Sequence, residues 1–292
     1  MKTYSCILKR TFILGIIVIL FIVSILPSSG KIVEKHSIKP ISDANILYVG
    51  GTGPGNYTKI QLAINEAYEG DTVFVYDDSS PYNENLIVDK SINLIGENWE
   101  TTIINGVDVR KATIQVINDW VNISGFTIKN GNGGIRIKSD NNTITRNNIL
   151  ENNWGGISLK TANFNSISGN KISNNFIGIQ IYDKSCHNLI SKNSILRSLR
   201  CNIVFGNPIF PLGHDPIYND HDNSHYNLII KNNIIGYGSA FFLDSWINTW
   251  DRNFWTRPRI LPKIIRGFIG DYETTCWNID WHPALLPYNI GL

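Results

Sequence analysis

The sequence predicts an all-β fold of the parallel β-helix kind, a solenoid of about seven or eight short coils. Two observations carry the prediction. First, the unit N-x-I-x-x-N-x-I, then a polar or glycine stretch, then I-x-I, recurs from Asn142, Asn165, Asn188 and Asn227. Ile144, Ile167 and Ile190 step by 23 residues, as do Asn147, Asn170 and Asn193, and the next step, to Ile229 and Asn232, is 39. Second, each unit holds three short apolar runs and no stripe at helical spacing, so a period in the low twenties reads as one solenoid turn. Isoleucine dominates the runs, as expected of strands that favour β-branched side chains.

The elements follow in chain order. Lys2, Lys9 and Arg10 precede an apolar run from Thr11 to Leu26 that closes at Pro27-Ser28-Ser29-Gly30. We read residues 1–30 as a signal peptide, or as an uncleaved N-terminal anchor, and residues 31–45 as a linker. Either reading places the rest of the chain outside the cytoplasm, secreted or on the extracellular face of the membrane. A helix is expected at Ile60, Ala63, Ile64 and Ala67, which share one face, and Thr58-Lys59-Ile60-Gln61 reads as its capping box. Strands begin at Val73, and the β-helix domain is expected over residues 46–255. Residues 256–292, with Pro258, Pro262, Pro283, Pro287, Trp277 and Trp281, read as an irregular apolar cover over the last coil.

The asparagines recur where the chain bends. Bends call for left-handed backbone, which asparagine tolerates better than any residue but glycine, and stacked amides can bond from coil to coil. The expected ladder is Asn147, Asn170, Asn193, Asn232 and Asn253, with Phe126 in the same position one coil earlier.

Composition bounds the function. The chain has 292 residues, 42% hydrophobic and 17% charged, with a formal net charge of +2 and no Lys/Arg cluster, so nucleic-acid binding has no support and a membrane contact rests on the N-terminal segment alone. Outside the first 30 residues there are three cysteines, Cys186, Cys201 and Cys276, too few for a disulfide scaffold and at spacings that match no zinc pattern.

Several stretches together resemble the right-handed parallel β-helix proteins of the pectate-lyase-like superfamily, in their NosD-like branch. These are VGGTGPGNYTKIQLAINEAYEGDTVFVY from Val49, DKSINLIGE from Asp89, the N-x-I-x-x-N repeats, and RPRILPK with NIDWHPALLPY in the tail, which is similar to tails of methanogen members. The resemblance implies a right-handed coil and three possible activities: polysaccharide cleavage, carbohydrate binding or surface display, and a copper-linked accessory role.

Each was weighed on the residues present. Sugar cleavage needs convergent carboxylates or bases on one face, whereas the repeats offer Asn, Ser and Thr. Arg136 and Lys138 alternate with Ile135 and Ile137 and are explained as an outward face. The insertion Gly206 to Tyr226 breaks the period and gathers His214, His221 and His225 with Asp215, Asp220 and Asp222. Imidazole with carboxylate suits a divalent metal, for which His214, His221, His225, Asp220 and Asp222 are the candidate ligands. Asp215, Asp220, Asp222 and His221 are the catalytic candidates of an enzyme reading. A single methionine and no clustered thiols argue against a soft copper site. Trp246, Trp250, Trp255 and Arg252 are the candidates for sugar binding, and packing into the cap is the competing role of those rings. Asn56, Asn122 and Asn141 head glycosylation sequons. The expectation is a non-catalytic surface β-helix that binds a carbohydrate polymer or the cell envelope and needs no cofactor, with a divalent metal in the insertion as the alternative.

Overall fold

The computed structural model describes residues 44–206, 223–236, 240–245, 247–269 and 274–290. Three ladders of parallel strands run the length of a three-sided coil. The first starts at Ile46–Val49 and passes through Thr72–Val75, Asn93–Gly96, Asn122–Ser124, Thr143–Thr145, Ser166–Ser168, Leu189–Ser191 and Leu228–Ile230 to Thr249–Asp251. The second runs from Tyr82–Asn83 to Phe254–Trp255 and the third from Leu86–Val88 to Lys263–Ile269. Nine successive pairings in the first ladder give about nine turns, and at ~4.8 Å per coil a stack of roughly 43 Å. That exceeds the seven or eight coils expected from the repeats, because Ile46–Val49 adds a strand before the helix and the tail adds two more after Trp255.

Alternation within three-residue strands places one or two side chains per strand inside. Register then aligns them into columns such as Leu94, Ile123, Ile144, Ile167, Ile190, Ile229 and Trp250 in the first ladder. The second ladder contributes Ile128, Ile149, Ile172, Ile195, Ile234 and Trp255. These side chains are buried, each contributing about 1.5–3 kcal/mol of transfer free energy.

All three corners of the coil carry asparagine. At the corner entering the first ladder the amides of Asn142, Asn165, Asn188, Asn227 and Asn248 form a chain, each Nδ2 donating to the next Oδ1 at 2.9–3.1 Å. At the corner leaving it, Asn147, Asn170, Asn193, Asn232 and Asn253 do the same at 3.0–3.2 Å, and Phe126 opens this ladder with its backbone N–H on Asn147 Oδ1. The third corner holds a short version, Asn152 to Asn175. Each Oδ1 also accepts the backbone N–H of the asparagine one coil earlier, as Asn170 does for Asn147 at 3.0 Å.

The left-handed residues, however, are not the ladder asparagines. They stand immediately before them: Arg146, Glu151, Phe164, Gly169, Asn174, His187, Lys192, Tyr226, Lys231 and Arg252 all have φ between 54° and 66°. The mechanism lies in the following amide, which bonds back across the bend: Asn147 Nδ2 donates to the Thr145 carbonyl and Asn170 Nδ2 to that of Ser168. A side chain that clamps residue i−2 offsets the ~1–2 kcal/mol a non-glycine residue loses in this conformation, so the bend residue itself is free to vary.

The ends are closed differently. The helix Ile60–Glu66 buries Ile60, Ala63, Ile64 and the following Ala67 against the first coil, as its spacing predicts. No side-chain bond is made by Lys59 at its N-cap, so the expected capping box is not what satisfies its first N–H groups. Glu84, from the next turn of the coil, accepts from the Ile60 and Gln61 N–H groups at 2.8 and 3.1 Å. The Gln61 amide in turn bonds the Ile87 N–H and carbonyl, closing the edge of the third ladder with a side chain. At the far end the tail is more regular than an irregular cover. Lys263–Ile269 and Thr274–Asp280 form an antiparallel hairpin that joins the last strands of the third and first ladders.

Candidate functional site

The outward face of the first ladder is the most elaborated surface of the coil. Two rows of side chains point out from its strands. One row runs Asn122, Thr143, Ser166; the other runs Ser124, Thr145, Ser168. Within a strand the rows are ~6.6 Å apart and between coils ~4.8 Å, so they form a flat grid. The hydroxyls of Ser124, Thr143, Thr145, Ser166 and Ser168 are half-buried and make no hydrogen bond to another described residue. Toward the N-terminal end the Ser124 row continues through Ile95 to Phe74 and Tyr48, and Tyr76, just past its strand, completes an aromatic ledge on which the Tyr48 and Tyr76 rings stack at 5.9 Å. A cavity of about 490 Å³ adjoins this ledge, lined in part by Asn56 and Asp78.

Both rims of this face come from the left-handed corner residues. Before the strands stand Trp120, Asn141, Phe164, His187 and Tyr226; Trp120 is 65% exposed, and Phe164, His187 and Tyr226 stack in sequence at 5.1 and 5.3 Å with interplanar angles of 4° and 11°. After the strands stand Gly125, Arg146, Gly169, Lys192, Lys231 and Arg252. Among the described residues Arg146, Lys192 and Lys231 have no carboxylate partner, and Arg252 pairs with Asp251 at 3.3 Å. The result is a floor between an aromatic rim and a cationic rim, hydroxyl-bearing over the coils from Asn122 to Ser168 and more apolar beyond, where Leu189, Leu228 and Ile230 continue the rows. Of the two outward rows, only Asp251 at the C-terminal end is a carboxylate, and it is held by Arg252 and by His282 Nδ1 at 2.9 Å.

This arrangement was readable in the columns of the repeat. In NTITRN, NSISGN, NLISKN and NLIIKN the position before the second asparagine is Arg, Gly, Lys, Lys, and the position before the first is Asn141, Phe164, His187, Tyr226. Alignment on the asparagines draws attention to the conserved spacing and away from the variable columns beside it.

Of the residues singled out from the sequence, Arg252 belongs to this face and the other described candidates do not line its floor. Trp250 and Trp255 are each 2% exposed and end the isoleucine columns, so their rings cover the core and offer no face to a sugar. Trp255 Nε1 donates to Asp280 Oδ2 at 2.9 Å. Arg252 is exposed, in the cationic rim. Trp246 lies outside the described residues, as do His214, Asp215, Asp220, His221 and Asp222. His225 sits half-buried beside Tyr226, burial holding its imidazole below the usual range. Among the described residues no three His, Cys, Asp or Glu side chains are placed to share a metal ion, and no helix is long and apolar enough to cross a membrane. Cys186, Cys201 and Cys276 are free thiols.

Comparison with known proteins agrees on the coil. The model of the family described as right handed beta helix region matches residues 71–206 and 112–249, together more than half of the chain. A segment of 96 residues, 33% of this chain, is 33% identical to a cell surface glycoprotein of Methanothermus fervidus, of which it spans 16%. Among solved structures, a pectin methylesterase in complex with a hexasaccharide aligns at a TM-score of 0.48 and 11% identity, over 82% of this chain and 86% of that one. The ORF18 protein of Geobacillus virus E2 aligns at 0.47 and 13%, over 75% and 59%.

Proposed function

We propose, from the premise that this chain belongs to the right-handed β-helix family, that it is a cell-surface rod that binds a carbohydrate polymer of the envelope along the first ladder without cleaving it. The observation that carries this is the register of that face. Unpartnered hydroxyls repeat every ~4.8 Å over the three coils from Ser124 to Ser168, and a repeating polymer is the ligand class that can use several equivalent weak contacts at once. The exposed Trp120 on one rim is the kind of ring whose face packs against the C–H groups of sugars, and the cations on the other favour a polymer carrying carboxylate or sulfate groups. The surface assignment is supported by the similarity to a segment of a cell surface glycoprotein.

Hydrolysis or elimination would call for a pair of acid and base groups at one point of the floor. The sole carboxylate of the two rows, Asp251, is already engaged by two cationic or neutral partners. The test is co-sedimentation of the protein with insoluble acidic and neutral polysaccharides and with isolated cell envelope. Binding is expected to the acidic polymer and the envelope, falling at least tenfold in an Arg146→Glu/Lys192→Glu variant. Absence of binding to every polymer and to the envelope, or release of reducing ends or unsaturated products on incubation, overturns the reading.

A further inference from the structure

The two ends of the coil are unlike in charge and alike in being apolar. Residues 44–100 carry nine carboxylates against two lysines, Lys59 and Lys90. Lys90 is occupied at the helix end, where its ammonium donates to the Ile64 and Asn65 carbonyls. Glu66 and Asp89 are exposed there and make no bond within the described residues. Around them Leu62 and Ile87 are each 48% exposed and Tyr68 77%.

The opposite end reverses the sign. Arg257, Arg259, Lys263 and Arg266 lie in the cap, and among the described residues none has a carboxylate partner. Residues 256–292 hold these four cations against three carboxylates, Asp271, Glu273 and Asp280, and Asp280 is fully buried. Arg259, Lys263, Arg266, Pro262, Ile264 and Trp277 line a concavity of about 450 Å³, and Arg266 faces Trp277 directly across the hairpin. Lys263 Nζ lies 5.6 Å from the Trp255 ring centroid. Beside this concavity Ile260 is 91% and Trp281 62% exposed. A terminal coil with that much bare apolar surface is unusual for an isolated solenoid, whose caps ordinarily end polar.

We propose that the cationic, apolar C-terminal cap docks on the acidic, apolar helix end of a second copy of this chain. The two surfaces differ, so the contact is heterologous, and repeating it builds an open head-to-tail fibre of rods rather than a closed dimer. Opposed charge sets the polarity: cap against cap and helix end against helix end both juxtapose like charges. The inference is independent of the proposed binding face, which runs along the side of the coil.

The test uses the full chain in four forms, followed by light scattering with size-exclusion chromatography across protein and salt concentration. The wild type is expected to give a ladder of masses at multiples of the monomer that shortens with salt. Arg259→Glu/Arg266→Glu and Glu66→Lys/Asp89→Lys are each expected to remain monomeric alone. Mixed together, each variant's cap finds a complementary helix end on the other variant, so the ladder of masses is expected to return with the two variants alternating, which non-specific aggregation does not produce. A wild type that stays monomeric at every concentration overturns the proposal. So does a mixture that stays monomeric, or an assembly unchanged by either reversal. If the wild type is monomeric and the cap reversal instead abolishes binding to vesicles containing anionic lipid, the cap is a membrane contact and the proposal fails.

Discussion

Asn253 ends its amide ladder on Asp280: its backbone N–H and its Nδ2 both donate to Asp280 Oδ2, at 3.0 and 3.1 Å. The same oxygen accepts from Trp255 Nε1. One carboxylate oxygen, delivered by the hairpin, therefore terminates the ladder that begins at Phe126 and ties the cap to the last coil. Replacing it with alanine leaves three buried donors without an acceptor, at ~1–3 kcal/mol each when unmade. Asp280→Ala is expected to destabilise the protein by on the order of 3 kcal/mol or more, read by denaturant unfolding. Asp280→Asn restores the oxygen that every other rung uses and is expected to fall within about 1 kcal/mol of wild type. A similar loss in both variants would mean that the negative charge, not the ladder acceptor, holds the cap.

Asn174 and Asn175 are chemically identical neighbours with opposite roles. Asn175 is buried and its Oδ1 accepts from the Asn152 N–H and Nδ2, while Nδ2 donates to the Ile149 and Ser173 carbonyls. Asn174 is the exposed left-handed bend residue, equivalent to Glu151 one coil earlier and Arg197 one coil later. Asn174→Lys is expected to change stability by no more than about 0.5 kcal/mol, the usual range of a surface substitution. Asn175→Ala breaks four buried bonds, and a loss of roughly 3 kcal/mol or more is expected by the same measurement.

That pair also explains what the sequence could and could not disclose. The isoleucine columns and the step of 23 residues are properties of inward positions, where register forces one residue type on every coil, and they are visible without coordinates. Assigning the left-handed conformation to the ladder asparagines follows from their propensity, yet the fold gives that conformation to the preceding residue because the clamp is made by the following side chain. The residues flanking the first ladder are legible only as variable columns: Arg146, Lys192, Phe164 and Tyr226 sit where almost any residue fits, so alignment on the asparagines passes over them. Of the two roles the sequence leaves open for Trp250 and Trp255, the fold gives them packing, a choice composition cannot make because it does not tell a ring that ends a core column from one that lies open.

Glu84 sits at the helix N-terminus in place of a local cap, one oxygen on each of two N–H groups. A carboxylate there satisfies orphan donors and complements the positive end of the helix. Glu84→Ala is expected to cost ~1–2 kcal/mol, in the range of a lost N-cap, and Glu84→Gln about half of that. Hydrogen exchange at Ile60, Gln61 and Ile87 localises the effect, since the Gln61 amide that covers Ile87 is anchored by the same turn. Unchanged exchange at Ile87 in the alanine variant would show that the edge closure is independent of the helix start.

Cys201 offers a test of dryness in a small apolar cluster separate from the main core. Its thiol is buried beside Ile177 and Val204, with Sγ donating to the Ile203 carbonyl at 3.1 Å, and burial pushes its pKa from 9.0 up to about 12. At pH 8 a disulfide reagent is expected to label the partly exposed Cys186 and Cys276 and to leave Cys201 unmodified, as resolved by peptide mass mapping. The sign of the linkage follows from the raised value. The unfolded chain releases the thiol proton near pH 9 and the folded chain does not until about 12, so the stability from the buried neutral thiol is intact below pH 9 and is lost progressively as pH rises toward 12. Cys201→Ala has no proton to release, and its stability is expected to fall less steeply over that window than the wild type's. Parallel alkaline profiles for the two proteins, or rapid labelling of Cys201 at pH 8, would place water at a position the fold presents as dry.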